Sequence, residues 1–455
     1  MSNDPAHSIA VESLERGDAY TRTDYWDRGL IAAILVGLVA FAYAMFNSSL
    51  LQPVIAAIQS LHWSALMLRP MVIWVAMGFL LLLMRTVLWL RYQPFEPIGG
   101  ADAPRLSVII PAYNEGMMVE RSIVSAASAN YPKDRLEIIA VDDGSNDDTW
   151  HYIVRAALRF PDLVTPLRLA SNRGKRGALA EGFRRARGEI IVTVDSDSII
   201  EPDTLLAIAG PFSDPRVGAV AGKVSVLNRR ASIVPRMLHV RFTLSFDFLR
   251  SVQSVFRTVF CCPGALAAYR ASVVREVLSA WEQQRFLGVP CTYGEDRGMT
   301  NCILHAGYDT VYQRTAVVHT VAPETYTKLC KMYLRWDRSY IREELRFVGK
   351  VVWKRPLASR LLAIYECVVT NLRFPIAYFS IGLLTVHAIR DPGSLLRMLL
   401  AILLVSSFYM LYFLRSERSW EFVFGIVYAF FSFFALTWIF PYALLTVRAR
   451  GWLTR

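Results

Sequence analysis

Three acidic motifs and an Arg-Trp pair follow one another along this chain: Val141-Asp142-Asp143-Gly144-Ser145, Asp195-Ser196-Asp197, Gly294-Glu295-Asp296 and Arg335-Trp336. Carboxylates in such an arrangement can do two jobs. Their hard oxygens can hold a divalent cation, which neutralises the charge gathering on a diphosphate as it leaves. A carboxylate within hydrogen-bond reach of a hydroxyl can also take its proton as that hydroxyl attacks. Both jobs belong to the transfer of a sugar from a nucleotide diphosphate to an acceptor. An Asp-x-Asp by itself is commonly a solvated turn. Four motifs in order, each beside an expected strand end or helix start, are much harder to obtain by chance.

Within this scheme Asp197 is the first choice for a metal ligand, and Asp195 would contact the ribose or the metal. The stretch Asn172-Arg173-Gly174-Lys175-Arg176-Gly177 opens a helix. Charge and helix dipole together would bring Lys175 and Arg176 to the nucleotide, although an ordinary basic helix start reads the same way. Asp296 is the candidate general base, and Glu295 is a weaker catalytic candidate that could serve only to orient the loop. Downstream, Lys331, Arg335, Arg338, Arg342 and Arg346 recur at helical spacing, with Met332, Tyr333, Trp336 and Tyr340 on an adjoining face. This predicts an amphipathic helix at the membrane surface over 326–350, whose Trp336 stacks on a sugar ring or anchors in lipid.

The elements that must position these residues lie between 105 and 325. Short apolar runs at Leu106–Pro111, Ile138–Val141, Pro166–Leu169, Ile190–Val194 and Val217–Ala221 alternate with amphipathic stretches. The alternation predicts an α/β domain with a mostly parallel sheet covered on both faces. Ligands in such a sheet bind beyond the carboxyl ends of the strands, where Asp142 and Asp195 fall. No Gly-x-Gly-x-x-Gly opens the first helix, which counts against a dinucleotide oxidoreductase. A second interface helix is expected over 232–257. It leads to Cys261-Cys262-Pro263-Gly264-Ala265, a turn expected near the acceptor.

On either side the chain is strongly apolar, 54% of all residues, with a net charge of +12. Two transmembrane helices are expected within 29–91, where Arg85 would snorkel, and three within 360–447, at Ala363–Ile389, Leu399–Leu414 and Phe422–Leu445. One late segment could instead lie in the interface, because the basic clusters Arg415/Arg418 and Arg448/Arg450/Arg455 both favour the cytosol. The loop from Asn47 to Leu68 lacks Lys and Arg and is expected outside. The amino-terminal segment 1–28, the central domain and the basic tail 448–455 would then be cytosolic, in a multi-pass protein of the plasma or inner membrane. Membrane lipid is an expected partner and nucleic acid is not. The six cysteines, 261, 262, 291, 302, 330 and 367, are expected to be free thiols without metal-ligand spacing.

These motifs resemble the membrane-integrated, processive family 2 glycosyltransferases, which include cellulose, chitin and hyaluronan synthases. The resemblance runs from about Arg105 to Arg455. It implies a Rossmann-like GT-A domain joined to a helical transmembrane domain, UDP-sugar donors, Mg2+ or Mn2+, inversion at the anomeric carbon and export of the growing polysaccharide acceptor. By position, Asp142 and Asp143 match the acidic pair near the uridine, and Asp195 and Asp197 match the metal motif. Asp296 of Gly294-Glu295-Asp296 matches the base. Arg335 and Trp336 match the end of a Gln-x-x-Arg-Trp motif bordering acceptor and nucleotide, with Met332 in place of the glutamine. Pro263-Gly264 reverses the usual Gly-Pro order. The sequence Arg335-Trp336-Asp337-Arg338-Ser339-Tyr340 and the pair Tyr365-Glu366 are similar to hyaluronan synthases. Gly294-Glu295-Asp296-Arg297 and the closing Gly451-Trp452-Leu453-Thr454-Arg455 fit these and rhizobial chitooligosaccharide synthases alike. The resemblance implies hyaluronan synthesis from UDP-N-acetylglucosamine and UDP-glucuronate, with chitin-type synthesis from the first donor alone as the nearest alternative. Two other classes are a transferase that loads one sugar onto a polyprenyl phosphate and a catalytically degenerate translocator. The intact acidic set argues against the second.

Overall fold

The computed structural model describes residues 25–47 and 70–449. The expected external loop, most of segment 1–28 and the end of the basic tail lie outside them. Two helices come first, α1 (Tyr25–Asn47) and α2 (Pro70–Arg91). Next come β1 (Leu106–Ala112), α3 (Met118–Ala127), β2 (Leu136–Asp142), α4 (Thr149–Arg159), β3 (Val164–Arg168), α5 (Gly174–Arg185), β4 (Ile190–Val194), β5 (Ser198–Ile200), α6 (Thr204–Ala209) and β6 (Val217–Val226). Helix α7 (Ile233–Thr243) then runs through a π-helical stretch, Leu244–Arg250, into α8 (Ser251–Val255). After β7 (Leu266–Arg270) and α9 (Ala271–Glu282), a small hairpin of β8 (Arg285–Phe286) and β9 (Val289–Pro290) leads to α10 (Glu295–His305), β10 (Asp309–Thr320) and α11 (Tyr326–Arg346). The last helices are α12 (Leu357–Arg390), α13 (Gly393–Ser416), α14 (Phe422–Phe431) and α15 (Ile439–Leu445).

The sheet has eight strands in the order β3-β2-β1-β4-β7-β6-β10-β5. The expected parallel pairing holds for β3, β2, β1 and β4. Beyond β4 the sheet is mixed, because β7 lies antiparallel between β4 and β6, and β5 lies antiparallel to β10. Strand β7 is entered from the α7–α8 excursion, so it is free of the constraint that a βαβ crossover places on direction. The central strands β1 and β4 are buried along their whole length, which is why Val108-Ile109-Ile110 and Ile190-Ile191-Val192 are unbroken apolar runs. Their cover comes from helices with one apolar stripe, such as Val119, Ile123 and Ala126 on α3 and Val273, Val274, Val277 and Trp281 on α9.

The two segments expected at the membrane surface are more enclosed than their sequences implied. In α7 and α8, Met237 and Leu238 pack into a cluster with Leu329 of α11 and Ile439 of α15, while Phe248 and Val252 pack with Trp89 of α2 and Tyr412 of α13. Indole Nε1 of Trp89 also donates to the Asp247 carbonyl at 2.8 Å. The expected basic face of α11 is partly turned inward. Arg338 and Arg342 are buried, with Arg338 bonding the Thr446 hydroxyl and Arg342 the Tyr293 carbonyl. Long cationic side chains satisfied by protein oxygens this way are not available to lipid headgroups.

Among the described residues, Tyr25–Ala44 and Gly393–Ser416 are long and apolar enough to cross a membrane. Phe422–Leu436 and Ile439–Leu445, bent by 45° at their junction, make a third if they form one span. This is fewer than the two early and three late spans expected. The stretches expected at Pro70–Leu90 and Ala363–Ile389 are helical, but Arg85 of the first does not snorkel. Its guanidinium grips Glu366 of α12 at 3.0 and 2.6 Å and bonds Thr370 at 3.0 Å. Inside an apolar helix pair a partnered charge is far cheaper than a lone one.

Candidate active site

The carboxyl ends of β1, β2 and β4 bring the first acidic motifs together. Asp142 is the last residue of β2, and its Oδ1 accepts the Ser145 N–H at 2.9 Å while Oδ2 lies 3.1 Å from Nε of Arg168. The next residue turns back. Asp143 donates its N–H to the Ala112 carbonyl and accepts the Arg173 N–H at 2.8 Å. Burial pushes the Asp143 carboxyl above its ordinary value, opposed by the backbone N–H groups of Arg173 and Gly174. Beside this pair lies a cleft of about 380 Å³ lined by Gly144, Ser145, Asn146, Arg168, Leu169 and Ala170.

Asp195 follows β4 directly and binds the Lys175 ammonium through Oδ1. That ammonium also stands 3.3 Å from Oε1 of Glu295. One lysine therefore ties the second acidic motif to the third. Burial pulls the Lys175 ammonium down, but Asp195 and Glu295 outweigh it and the net shift is upward. The Pro263-Gly264 turn closes on this pair. A Cβ at Gly264 would sit 2.7 Å from the Lys175 nitrogen and 3.5 Å from Oδ1 of Asp195, so the turn lies directly against this ion pair. Asp197 accepts from the hydroxyls of Ser198 and Thr320, each at 3.2 Å. Burial, with the Asp195 and Glu115 charges adding to it, pushes its carboxyl up to about 6.

The third motif sits at the start of α10. Gly294 has φ 76°, a left-handed conformation that other residues seldom adopt. A Cβ there would fall 1.9 Å from the Ser339 hydroxyl oxygen of α11. The missing Cβ lets the Glu295-Asp296 turn approach the Arg-Trp helix closely. Glu295 is buried with Oε2 lacking a hydrogen-bond partner. Burial pushes it up and Lys175, Arg335 and Arg176 pull it down, with a net shift downward. Asp296, half-buried, accepts the Arg297 N–H at 2.7 Å and the Cys261 thiol at 3.6 Å. Burial and then the Glu295 charge push the Asp296 carboxyl above its ordinary value, against Lys175. Two adjacent carboxylates are thus driven apart, one toward permanent charge and the other toward proton exchange.

Arg335 acts on Glu295 through charge. Trp336 is exposed, its ring 5.6 Å from Tyr333 and 6.1 Å from Phe242 of α7. Tyr333 in turn shares a hydroxyl hydrogen bond with Tyr428 of α14 at 2.7 Å. Met332, at the position expected to carry glutamine, is buried with Leu329, Leu436 and Ile439.

Residues 107–278 match the profile of glycosyl transferase family 2. The chain is 30% identical over 362 residues to an N-acetylglucosaminyltransferase of Azorhizobium caulinodans, an alignment covering 77% of this chain and 87% of the relative. It is 31% identical over 371 residues to a hyaluronan synthase of Streptococcus pyogenes, covering 80% and 86%. The chain belongs to glycosyl transferase family 2. Among solved structures, this glycosyltransferase is similar to a mannosyltransferase from Pyrobaculum calidifontis in complex with GDP-Man and Mn2+, with a TM-score of 0.57 over 79% of this chain and 98% of the other at 22% identity. That likeness bears on the fold alone, which is a GT-A-like α/β domain with a mixed sheet.

The glycosyltransferase has donors that suit a hard divalent ion. The Asp195 charge raises the cost of ionising Asp197, and Glu115 adds to the local negative charge. No cluster of three or more His, Cys, Asp or Glu side chains able to hold a metal occurs among the described residues. Magnesium-like ions are commonly held by one or two carboxylates with the substrate's phosphates completing the shell, so a pair fits. With Asp142 and Asp143 at the end of β2, two strands from β4, and Asp197 beside Asp195, the structure brings Lys175, Asp195, Glu295 and Asp296 into one cluster. Arg176 lies behind it, buried, bonded to the Trp281 carbonyl at 2.5 Å and the Gln284 amide oxygen at 3.1 Å. Glu115 was not singled out by sequence, whereas Cys261 was placed in the turn expected near the acceptor. The signal for Glu115 was its place in Asn114-Glu115-Gly116 directly after the first strand. What the sequence did not show is that the Cys261 thiol meets Asp296, 35 residues away.

Proposed function

We propose that this glycosyltransferase polymerises UDP-sugars processively with inversion, making hyaluronan from UDP-N-acetylglucosamine and UDP-glucuronate and passing it across the membrane. The observation that carries the chemistry is the Lys175 bridge between Asp195 and Glu295, which sets the donor-side carboxylates next to Asp296. In this reading Asp142 and Asp143 hold the nucleoside end of the donor. Lys175 and Arg335 offset the negative charge of the diphosphate. Asp195 and Asp197 would hold Mg2+ or Mn2+, which when bound supplies charge stabilisation for the leaving diphosphate. Asp296 takes the proton of the acceptor hydroxyl, helped by an environment that raises its basicity. Trp336 offers an exposed ring for the acceptor sugar. The apolar helices α1 and α13 support a membrane location.

A second reading, synthesis of a chitin-like oligomer from UDP-N-acetylglucosamine alone, is favoured by the rhizobial N-acetylglucosaminyltransferase relative. Radiolabel incorporation by the purified protein with Mn2+ or Mg2+ separates the two. A polymer requiring both donors and digested by hyaluronidase supports hyaluronan. A chitinase-sensitive product from the first donor alone supports the alternative. A lipid-linked monosaccharide as sole product would defeat both.

A further inference from the structure

The residue after the candidate base enters a network that leaves the active site altogether. Arg297 extends from α10 and donates through Nη1 to Oε1 of Glu344 on α11 at 2.7 Å. Its guanidinium carbon also stands 4.8 Å from the ring centroid of Tyr340, one helical turn before Glu344. Both partners of Arg297 reach across to α12. Oε2 of Glu344 accepts the Cys367 thiol at 3.0 Å and the Asn371 amide at 3.5 Å, and the Tyr340 hydroxyl donates to Oδ1 of Asn371 at 2.9 Å. The result is a closed ring, Arg297 to Glu344 to Asn371 to Tyr340 and back, spanning three helices. Glu344 is 8% exposed. A carboxylate so enclosed is held in one geometry by its partners, because any displacement leaves charge without compensation.

The ring meets the chemistry through the backbone. The N–H of Arg297 donates to Oδ1 of Asp296 at 2.7 Å, and the Arg297 guanidinium that Glu344 holds acts on the same carboxylate through its charge. On its other side α12 is held to α2 by the Arg85–Glu366 pair. We propose that Glu344 is a positioning residue that, with Arg297, Tyr340 and Asn371, ties the orientation of the Asp296 carboxylate to helix α12. The inference rests on the reading of Asp296 as the base. Among the described residues, Glu344 bonds Arg297, Cys367 and Asn371 and touches neither the cleft beside Asp142 nor the Lys175 bridge. Its effect therefore falls on the transfer step and not on donor binding.

Glu344→Gln keeps the size of the side chain and its acceptor for Cys367 and Asn371 while removing the charge that fixes Arg297. Tyr340→Phe keeps the ring under Arg297 and removes only the hydroxyl to Asn371. Both are assayed in the full-length protein for sugar incorporation and for UDP affinity, beside Asp296→Asn. A small misplacement of a reacting group costs roughly tenfold to a hundredfold in rate. The expected result is a kcat lowered about tenfold or more in Glu344→Gln, with the KM for UDP-N-acetylglucosamine and the affinity for UDP within about twofold of the parent, and a smaller loss of the same kind in Tyr340→Phe. If Glu344→Gln fails to accumulate, the Tyr340→Phe split between kcat and KM decides. Asp296→Asn inactive with both variants at parental kcat overturns the positioning role alone, as does a kcat that falls only in step with UDP affinity. Transfer retained in Asp296→Asn removes the base, and with it both the proposed mechanism and this inference.

Discussion

Adjacent side chains on one helix face different worlds, and the two basic residues at the start of α5 make this concrete. Successive helical residues are about 100° apart, so Lys175 and Arg176 leave the helix in different directions. Lys175 binds Asp195, and Arg176 is spent on Trp281 and Gln284. The sequence pattern marked the basic helix start without showing the phase of its helix. The same adjacency separates Glu295 from Asp296, with a consequence for pH dependence. Burial and then the Glu295 charge raise Asp296 above its ordinary value. A base must be deprotonated to act, so the acidic limb of kcat should lie above the usual carboxylate range. Glu295→Gln removes a like charge, lowers the Asp296 pKa and should move that limb toward lower pH, even as the plateau falls because Lys175 loses a partner. A pH–rate profile with an unmoved limb would separate the limb from Asp296. Replacing Asp296 with Asn should abolish transfer while UDP affinity, read by calorimetry, stays close to the parent.

The elements that place these residues were legible where the local pattern was strong. Strands β1, β2 and β4 are continuous β-branched and aliphatic runs, and their ends fall within a residue or two of those expected. Strand β7, Leu266-Ala267-Ala268-Tyr269-Arg270, holds two alanines in five residues and no β-branched residue, so it carries little strand propensity. Strand β10 loses its alternation where its register to β6 shifts between Gln313 and Val317. Neither shift nor direction of pairing is written in a local window, which is why the sheet was expected to be more parallel than it is. One element contact can be tested by a single methyl group. Gly294→Ala must take a left-handed conformation, at roughly 1–2 kcal/mol, and also displace Ser339 on α11, at roughly 1–3 kcal/mol more for overpacking. Thermal melting should show the loss. The double variant Gly294→Ala/Ser339→Gly should recover the steric part and leave the conformational part. Equal melting of the single and double variants would mean that the turn does not press on α11.

At the scale of the whole molecule, composition announced an apolar shell around an α/β domain but not how charges inside that shell are handled. Arg85 and Glu366 interrupt two apolar helices 281 positions apart, and only the folded chain shows that each is the other's reason for being there. Their side chains are 13% and 4% exposed, and the guanidinium binds both carboxylate oxygens. Such a pair can be a net cost relative to apolar residues of the same volume, yet removing one partner alone strands a charge and costs about 3–5 kcal/mol. The pair therefore acts less as a source of stability than as a lock on which faces of α2 and α12 meet. Glu366→Leu and Arg85→Leu should each lower the unfolding temperature of the detergent-solubilised protein by several degrees. The double variant should lie close to the parent, because the coupling energy in the cycle cancels most of the single losses. Additive losses in the double variant would show that the two charges are solvated separately, and α2 and α12 would then owe their alignment to apolar packing alone.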